Sequence, residues 1–371
     1  MKVRLGVLCG GRSGEHEVSL QSAQGIFRAL DRQRFDPLLV AIDKDGAWRT
    51  GTAETLLLDA QDPERIHLNL EAPTVIPTGR GGRCVLLQHD GARPATELDA
   101  ILPIIHGTDG EDGALQGLLR VFDVPFVGAD VLGSAVGMDK DVMKRLLTLA
   151  DLPVARFVAL HDPEAALGRF DELAETLGLP LYVKPAALGS SVGVSRVESG
   201  AQYAAAVRSA FAYGEKVLVE QAIAGREVEV SVLGSRYSRR HPPKASRVGE
   251  IRPRDGFYSY RAKYLDPQGA ELVVPAELPP GVEQRVQEVS LRVFETLECD
   301  GMARVDCFVR DGGGVVVNEL NTLPGFTPIS MYPKLWEASG LSYTDLLTRL
   351  VELALERHER RRAYQRNYDF A

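Results

Sequence analysis

The sequence contains no run of apolar residues near the ~18 that a membrane helix requires, and it has no excess of basic charge. Its 43 Lys and Arg stand against 51 Asp and Glu, a net charge of −8 over 371 residues. A nucleic-acid partner needs a basic face to neutralise phosphates, so that class is disfavoured, although a local lysine cluster can still hold a small anion. Cysteine is scarce: Cys9, Cys84, Cys299 and Cys307 share neither a CxxC nor a metal-binding spacing. They read as buried thiols of a reducing compartment. The opening apolar run is interrupted by Arg4 and is too short for a secretory signal. These absences predict a cytoplasmic protein with no membrane and no nucleic-acid partner. Low-complexity tracts are missing too. The 36 Gly and 21 Pro are dispersed, which predicts many tight turns and not disorder.

What is present points to an α/β and α+β chain. The length exceeds what one hydrophobic core supports, so two or three domains are expected. Residues 3–8 read as a buried strand, followed by the turn Gly10-Gly11-Arg12-Ser13-Gly14, a helix over 17–30 and a strand over 37–42. That is a β-α-β opening of a parallel sheet. A strand at 100–105 runs into His106-Gly107-Thr108-Asp109-Gly110-Glu111-Asp112-Gly113. Beyond residue 138 the texture changes: helices at 141–150 and 171–177, then short strands at 181–184, 192–197, 217–220 and 227–233. The charged, Pro- and Gly-rich stretch 239–280 reads as a mobile loop. A helix over 282–297, a hairpin and a helix from Tyr343 follow, and the Arg-rich residues 356–366 read as a solvated helix end.

Four segments carry candidate chemistry. Alternation puts Arg304 and Asp306 on one strand face, and Glu319 and Asn321 on one face of the next. Pairing Arg310 with Val315 across Asp311-Gly312-Gly313-Gly314 sets Asp306 opposite Glu319 and Arg304 opposite Asn321. Two carboxylates and an amide oxygen then converge, a hard-oxygen set suited to Mg²⁺ carrying phosphates. The plain alternative is a surface hairpin with an Arg–Glu pair. Lys184 ends an apolar strand and precedes a Gly/Ser loop, 189–193, whose amides can wrap a phosphate. With Lys140 and Lys144 from a preceding helix it forms a candidate triphosphate clamp, though not a Walker A loop. Glu220 ends a strand before a polar turn, with Glu227 close behind, a pattern suited to adenine and ribose. At the N-terminus, Gly10-Gly11-x-x-Gly14 matches a dinucleotide fingerprint incompletely, because Cys9 stands at its first glycine and only Asp43 offers a ribose acid. An NAD dehydrogenase is therefore a weak rival. Glu15 opens the first helix, where a carboxylate either meets a substrate ammonium or complements the helix dipole.

Taken together, these segments resemble the D-alanine–D-alanine ligase family of the ATP-grasp superfamily over roughly residues 3–350. The motifs are GGRSGEHEVSLQSA from Gly10, HGTDGEDGALQG from His106, GMDKDVMK from Gly137, YVKPAALGSSVGVSR from Tyr182, FYSYRAKY from Phe257, GMARVDCF from Gly301 and VNELNTLPGFTPISMYPKLW from Val317. The resemblance implies a Rossmann-like N-terminal substrate-binding domain (1–135), a central ATP-grasp subdomain (136–224) and a C-terminal one (225–371). It implies that Lys140 and Lys184 bind phosphates, that Glu220, Gln221 and Ile223 contact adenine, and that Glu227 binds ribose. Gln221 replaces a lysine common in the family. Asp306, Glu319 and Asn321 resemble ligands of Mg²⁺ or Mn²⁺, two ions in all. Glu15, Ser190 and Tyr264 resemble a hydrogen-bonded triad. Glu15 and His106 lie at the first D-alanine, and Lys263, Ser330 and Met331 at the second. Arg304 and the Gly325 N–H resemble oxyanion stabilisers.

The implied reaction turns ATP and two D-alanines into ADP, phosphate and D-alanyl-D-alanine through a D-alanyl phosphate, for peptidoglycan precursors, in a homodimer. The Lys263-Tyr264 pair argues for D-alanine over D-lactate as the second substrate. A D-alanine–D-lactate or D-alanine–D-serine ligase and a non-catalytic ATP-binding regulator are the alternatives. The regulator would have lost a metal ligand or Arg304, and neither is missing.

Overall fold

Val3–Gly10 (β1) is buried over its last six residues, as a strand covered on both faces must be. In the computed structural model, which describes residues 2–62, 64–88, 94–254 and 269–365, β1 leads through His16–Ala29 (α1) to Phe35–Ile42 (β2). Gly10 makes the turn possible: its φ is +87°, and a Cβ there would lie 2.2 Å from the Ile42 carbonyl oxygen. Trp48–Gly51 (β3), Ala53–Leu56 (α2), the ribbon Leu57–Leu58 (β4) and His67–Leu68 (β5), Thr74–Arg80 (β6), Arg83–Gln88 (β7), Thr96–Leu98 (β8) and Ala100–Pro103 (β9) complete this part. The sheet order is β8-β7-β6-β3-β2-β1-β9. β1 is parallel to β2 and β9, as the β-α-β reading requires. The sheet then continues through antiparallel β3, β6, β7 and β8, which sequence reasoning left unread.

Ala114–Val121 (α3), Val131–Met138 (α4) and Lys140–Leu149 (α5) lead to a second unit. It contains Phe157–Leu160 (β10), Pro163–Leu167 (α6), Phe170–Leu177 (α7), Leu181–Pro185 (β11), Ser195–Val197 (β12), Gly200–Phe211 (α8) and Val217–Gln221 (β13). Its antiparallel sheet runs β10-β13-β11-β12 over a core that includes Leu173, Val183 and Tyr203. The strand expected over 192–197 shrinks to three residues, because the Gly/Ser loop extends through Val194.

The third unit comprises Arg226–Gly234 (β14), Lys244–Pro253 (β15), Ala270–Val273 (β16), Val282–Thr296 (α9), Gly301–Val309 (β17), Val315–Asn321 (β18), Met331–Ala338 (α10) and Tyr343–Arg362 (α11). Its sheet order is β16-β15-β14-β17-β18, antiparallel throughout. Alternation sends Val228, Val230 and Val232 into the core against Val286, Val293 and Phe294 of α9. Glu227 and Glu229 are left on the opposite face, toward β11 and β13.

Two expectations need correction. The stretch 239–280 is not one loop: it contributes β15 and β16 to the sheet, and residues 255–268 lie outside the described residues. Pro243 and Pro253 sit at the two ends of β15, where a missing N–H is tolerated. The Arg-rich end is not merely solvated. Arg357 is buried and donates to the Phe126 and Gly128 carbonyl oxygens at 2.5 Å each, while Arg361 pairs with Asp130. Helical spacing puts these arginines on one face, and that face meets the carbonyls and carboxylate of residues 126–130. Among the described residues, no helix is long and apolar enough to cross a membrane.

Candidate active site

Asp139 stops α4 and caps α5, its side chain accepting from the Asp141 and Val142 amides at 3.1 Å each. Lys216 grips the same corner, 2.7 Å from Asp139 and 3.0 Å from Asp141. That fixes the first turn of α5, which carries Lys140 and, one turn on, Lys144. Lys140 Nζ donates to the Leu188 carbonyl at 2.9 Å and lies 3.2 Å from Glu319. Lys184, near the end of β11, reaches Glu220 at 2.8 Å, and the fully buried Lys144 reaches the same carboxylate at 3.3 Å. Burial alone would raise the Glu220 pKa, but the charges of Lys144 and Lys184 outweigh it and hold the carboxyl below its ordinary value. Lys144 moves the other way: burial, helped by Lys184 and Lys140, brings it down to about 8 in spite of Glu220. Hydrophobic residues would fill this space at lower cost, so a buried cluster of three ammoniums marks function.

The cluster closes one end of a cavity of about 300 Å³ between the second and third sheets. Lys140, Lys184, Glu220, Gln221, Ile223, Glu227, Asp306 and Glu319 all line it. The residues expected at phosphates, adenine and ribose are therefore together, with both expected metal carboxylates at the same opening. Gln221, which stands where the family commonly has lysine, accepts from Arg156 Nε at 3.1 Å through its side-chain oxygen.

The acidic hairpin has Asp306 opposite Glu319 and Arg304 opposite Asn321, as read. The closing pair differs: Val309, not Arg310, faces Val315, and a register shift beyond Asp306 absorbs the extra residue at Asn318. A carboxylate missed by the sequence reading joins them. Glu229 on β14 lies opposite Asp306, so Glu229, Asp306 and Glu319 form one cross-strand row. Arg304 is forked onto Asp306 by two bonds of 2.7 Å and lies 3.0 Å from Glu229. Burial alone would lower its pKa, but Asp306 and Glu229 raise it well above the ordinary value. Asn321 Oδ1 accepts the Leu323 N–H at 3.0 Å. Among the described residues no three His, Cys, Asp or Glu side chains are close enough to hold a metal. The candidate set is two carboxylates and an amide.

A smaller cavity, about 80 Å³, adjoins the first and shares Lys140, Gly189, Glu229 and Glu319 with it. Glu15, His106, Ser190, Arg304, Gly325, Ser330 and Met331 border it. Ser190 donates to Glu15, and both Ser190 and Ser191 have left-handed φ, of 54° and 59°. Two such serines in succession are strained and recur at functional loops. His106 is buried, its Nδ1 3.0 Å from the Leu323 carbonyl and 3.8 Å from Glu111. Burial would lower the His106 pKa, yet Glu111 and Glu15 raise it; burial raises that of Glu111. Ser330 Oγ holds Thr327, at 3.0 Å from its N and 2.8 Å from its Oγ1. Lys263 and Tyr264 lie outside the described residues. Glu229 and Glu111 were legible in principle, Glu229 by its two-residue step from Glu227 and Glu111 by its place in the glycine-rich run after His106.

The family model "D-ala D-ala ligase N-terminus" matches residues 4–129, and "D-ala D-ala ligase C-terminus" matches residues 146–352. The D-alanine–D-alanine ligase of Shouchella clausii is 51% identical over 97% of this chain and 96% of its own. D-alanine–D-alanine ligase A of Escherichia coli K12 is 52% identical over 96% and 97%. Among solved structures, the D-alanine–D-alanine ligase from Coxiella burnetii superposes with a TM-score of 0.83 at 37% identity, over 97% of this chain and 96% of that one. The D-Ala:D-Ser ligase from Enterococcus faecalis gives 0.80 at 33% identity, over 95% and 100%. With both halves matched and full-length relatives at this identity, the chain belongs to the D-alanine–D-alanine ligase family.

Proposed function

We propose that this chain is an ATP-dependent D-alanine–D-alanine ligase that makes D-alanyl-D-alanine for cell-wall precursors, as a cytoplasmic homodimer. The observation that carries the reading is the junction of two cavities at Lys140, Glu229 and Glu319, with Arg304 on the side of the smaller one. One is lined by Lys140 and Lys184 with Glu220, Gln221, Ile223 and Glu227; the other by Glu15, Ser330 and Gly325.

The junction suits a carboxylate that must be phosphorylated on one side and attacked on the other. The carboxylate of the first D-alanine attacks the ATP γ-phosphorus, ADP leaves, and the acyl phosphate forms where Lys140 and Lys184 neutralise phosphoryl oxygens. Glu15, held by Ser190, meets the ammonium of the first D-alanine. The neutral amine of the second D-alanine attacks the acyl carbon, and the proton it sheds as the amide forms leaves with the departing phosphate. Arg304 and the Gly325 N–H stabilise the resulting oxyanion, and the C–O bond to phosphate breaks. Ser330, and Lys263 beyond the described residues, receive the second carboxylate.

Asp306, Glu319 and Asn321 suit Mg²⁺ or Mn²⁺ in their donor chemistry: hard oxygens, with Asp306 facing Glu319 across the strand pair and Asn321 two residues further on. Each carboxylate now contacts a cation, Arg304 or Lys140, that phosphate oxygens would also attract. When bound, two such ions would neutralise charge on the β- and γ-phosphates.

Phosphate release from ATP and Mg²⁺ with D-alanine alone, and D-alanyl-D-alanine identified by mass, is the expected result. Release only when D-serine or D-lactate is added would transfer the assignment to a relative of different product. No release with any of them would end the ligase reading. A second result is expected at Gly325, where a Cβ would lie 2.7 Å from Ser330 Oγ. Gly325→Ala must displace a hydroxyl already bonded to Thr327, and a shift of that size costs about 10²-fold in kcat. Circular dichroism should show the fold intact, and a kcat near wild type would separate the position of the Ser330 hydroxyl from the reaction.

A further inference from the structure

Ser22 has contacts that none of these roles uses. Its hydroxyl is fully buried on α1, 3.3 Å from His106 Nε2, and accepts the Phe326 N–H at 3.3 Å. On the other edge of the ring, Nδ1 is 3.0 Å from the Leu323 carbonyl oxygen. The main-chain partners fix where the protons sit, because an amide can only donate and a carbonyl can only accept. Nδ1 must carry hydrogen, toward the Leu323 carbonyl with Glu111 3.8 Å away, so whenever the ring is neutral Nε2 is the acceptor for the Ser22 hydroxyl. The bonds run in one direction, Phe326 to Ser22 to His106 to Leu323, and both ends fall on the segment that holds Gly325.

That segment is anchored at each flank and nowhere else needs to be. Leu323 donates to Asn321 Oδ1 and accepts from His106; Phe326 donates to Ser22 and its carbonyl accepts from Tyr343 at 3.0 Å. Between them lie Pro324, which has no N–H, and Gly325, which is permissive in φ and ψ. We propose that Ser22 is a positioning residue: through His106 and Phe326 it fixes the segment so that the Gly325 N–H points at the developing oxyanion. The oxyanion role of Gly325 rests on the ligase reading above; the positioning does not.

The test uses the full chain. In Ser22→Ala, exchange of the Gly325 and Phe326 amides should accelerate about tenfold, the worth of one ordinary hydrogen bond, and kcat should fall by a similar factor. KM for ATP should stay at its wild-type value, since Ser22 does not reach the nucleotide cavity. In the wild-type protein, ¹⁵N chemical shifts of the neutral His106 ring should report hydrogen on Nδ1. Hydrogen on Nε2 instead overturns the proposal without any variant. Unchanged exchange in Ser22→Ala, or KM for ATP rising as far as kcat falls, also overturns it. If the protein makes no dipeptide at all, the ligase reading fails while exchange and tautomer still decide the positioning.

Discussion

Replacing Arg304 with methionine is expected to lower kcat about 10²–10³-fold, the usual loss when one donor to a developing oxyanion is removed. KM for ATP should change less, because Arg304 borders the smaller cavity and not the nucleotide cleft. The substitution has a second effect in the resting protein. Arg304 is mostly buried and faces Asp306, Glu229 and Glu319. Without it the cross-strand row of carboxylates loses its shared guanidinium and, among the described residues, keeps Lys140 near Glu319. Breaking a buried pair of this kind costs about 3–5 kcal/mol, since the partner's charge stays behind. The melting temperature should therefore fall, and Mg²⁺ should raise it more in the variant than in wild type. A variant with wild-type kcat would remove Arg304 from the oxyanion role. Equal Mg²⁺ shifts in both proteins would remove Asp306 and Glu319 from the metal site.

Glu220→Gln should be comparably severe, and its severity should depend on pH. Glutamine leaves Lys144, at 0% side-chain exposure, without its carboxylate, again a loss of about 3–5 kcal/mol at neutral pH. In the wild-type protein Lys144 titrates near 8 in the folded state against 10.5 ordinarily, chiefly through burial. An amine whose folded pKa is depressed weakens the fold while it is protonated. Below about pH 8 both states hold the proton and the penalty is complete; between about 8 and 10.5 only the unfolded chain holds it, so stability rises with pH. The depression corresponds to roughly 3 kcal/mol. Removing Glu220 withdraws the one carboxylate that opposes the depression, so recovery should begin at lower pH in the variant. Urea midpoints from about pH 6 to pH 10 would show Glu220→Gln converging on wild type as the pH rises, and Lys144→Met without the Lys144 slope. A constant gap between Glu220→Gln and wild type would dismiss the account.

The parts of the fold that were legible are those where period and burial agree. β1 and β2 are near-continuous apolar runs around one helix, and β14 alternates valine with polar residues from Glu227 to Val232. The acidic hairpin was read with the correct facing pairs but the wrong closure, since a bulge cannot be seen in a local pattern. β15 and β16 were missed because the charges along them and the prolines at their ends look like loop composition. The candidate site was legible where chemistry needs unusual residues side by side, as at Arg304 and Asp306. It was not legible where a residue serves through another: Ser22 is one more polar residue on an amphipathic helix until Phe326, 304 positions away, is brought to its hydroxyl. Glu229 likewise acquires meaning only from Arg304 across the sheet.

The union of Arg357 with the carbonyls of Phe126 and Gly128 spans 229 to 231 positions of sequence. The same helix supplies Leu346, Leu347, Leu350 and Val351 to the core beneath β1 and β2. During synthesis, then, the first sheet emerges from the ribosome long before the residues that cover one side of it. Contacts this distant close late and slowly, and exposed apolar surface in the interval invites association with other chains. The nascent N-terminal third is the stretch most in need of chaperone cover, and that need ends only when the last helix is released.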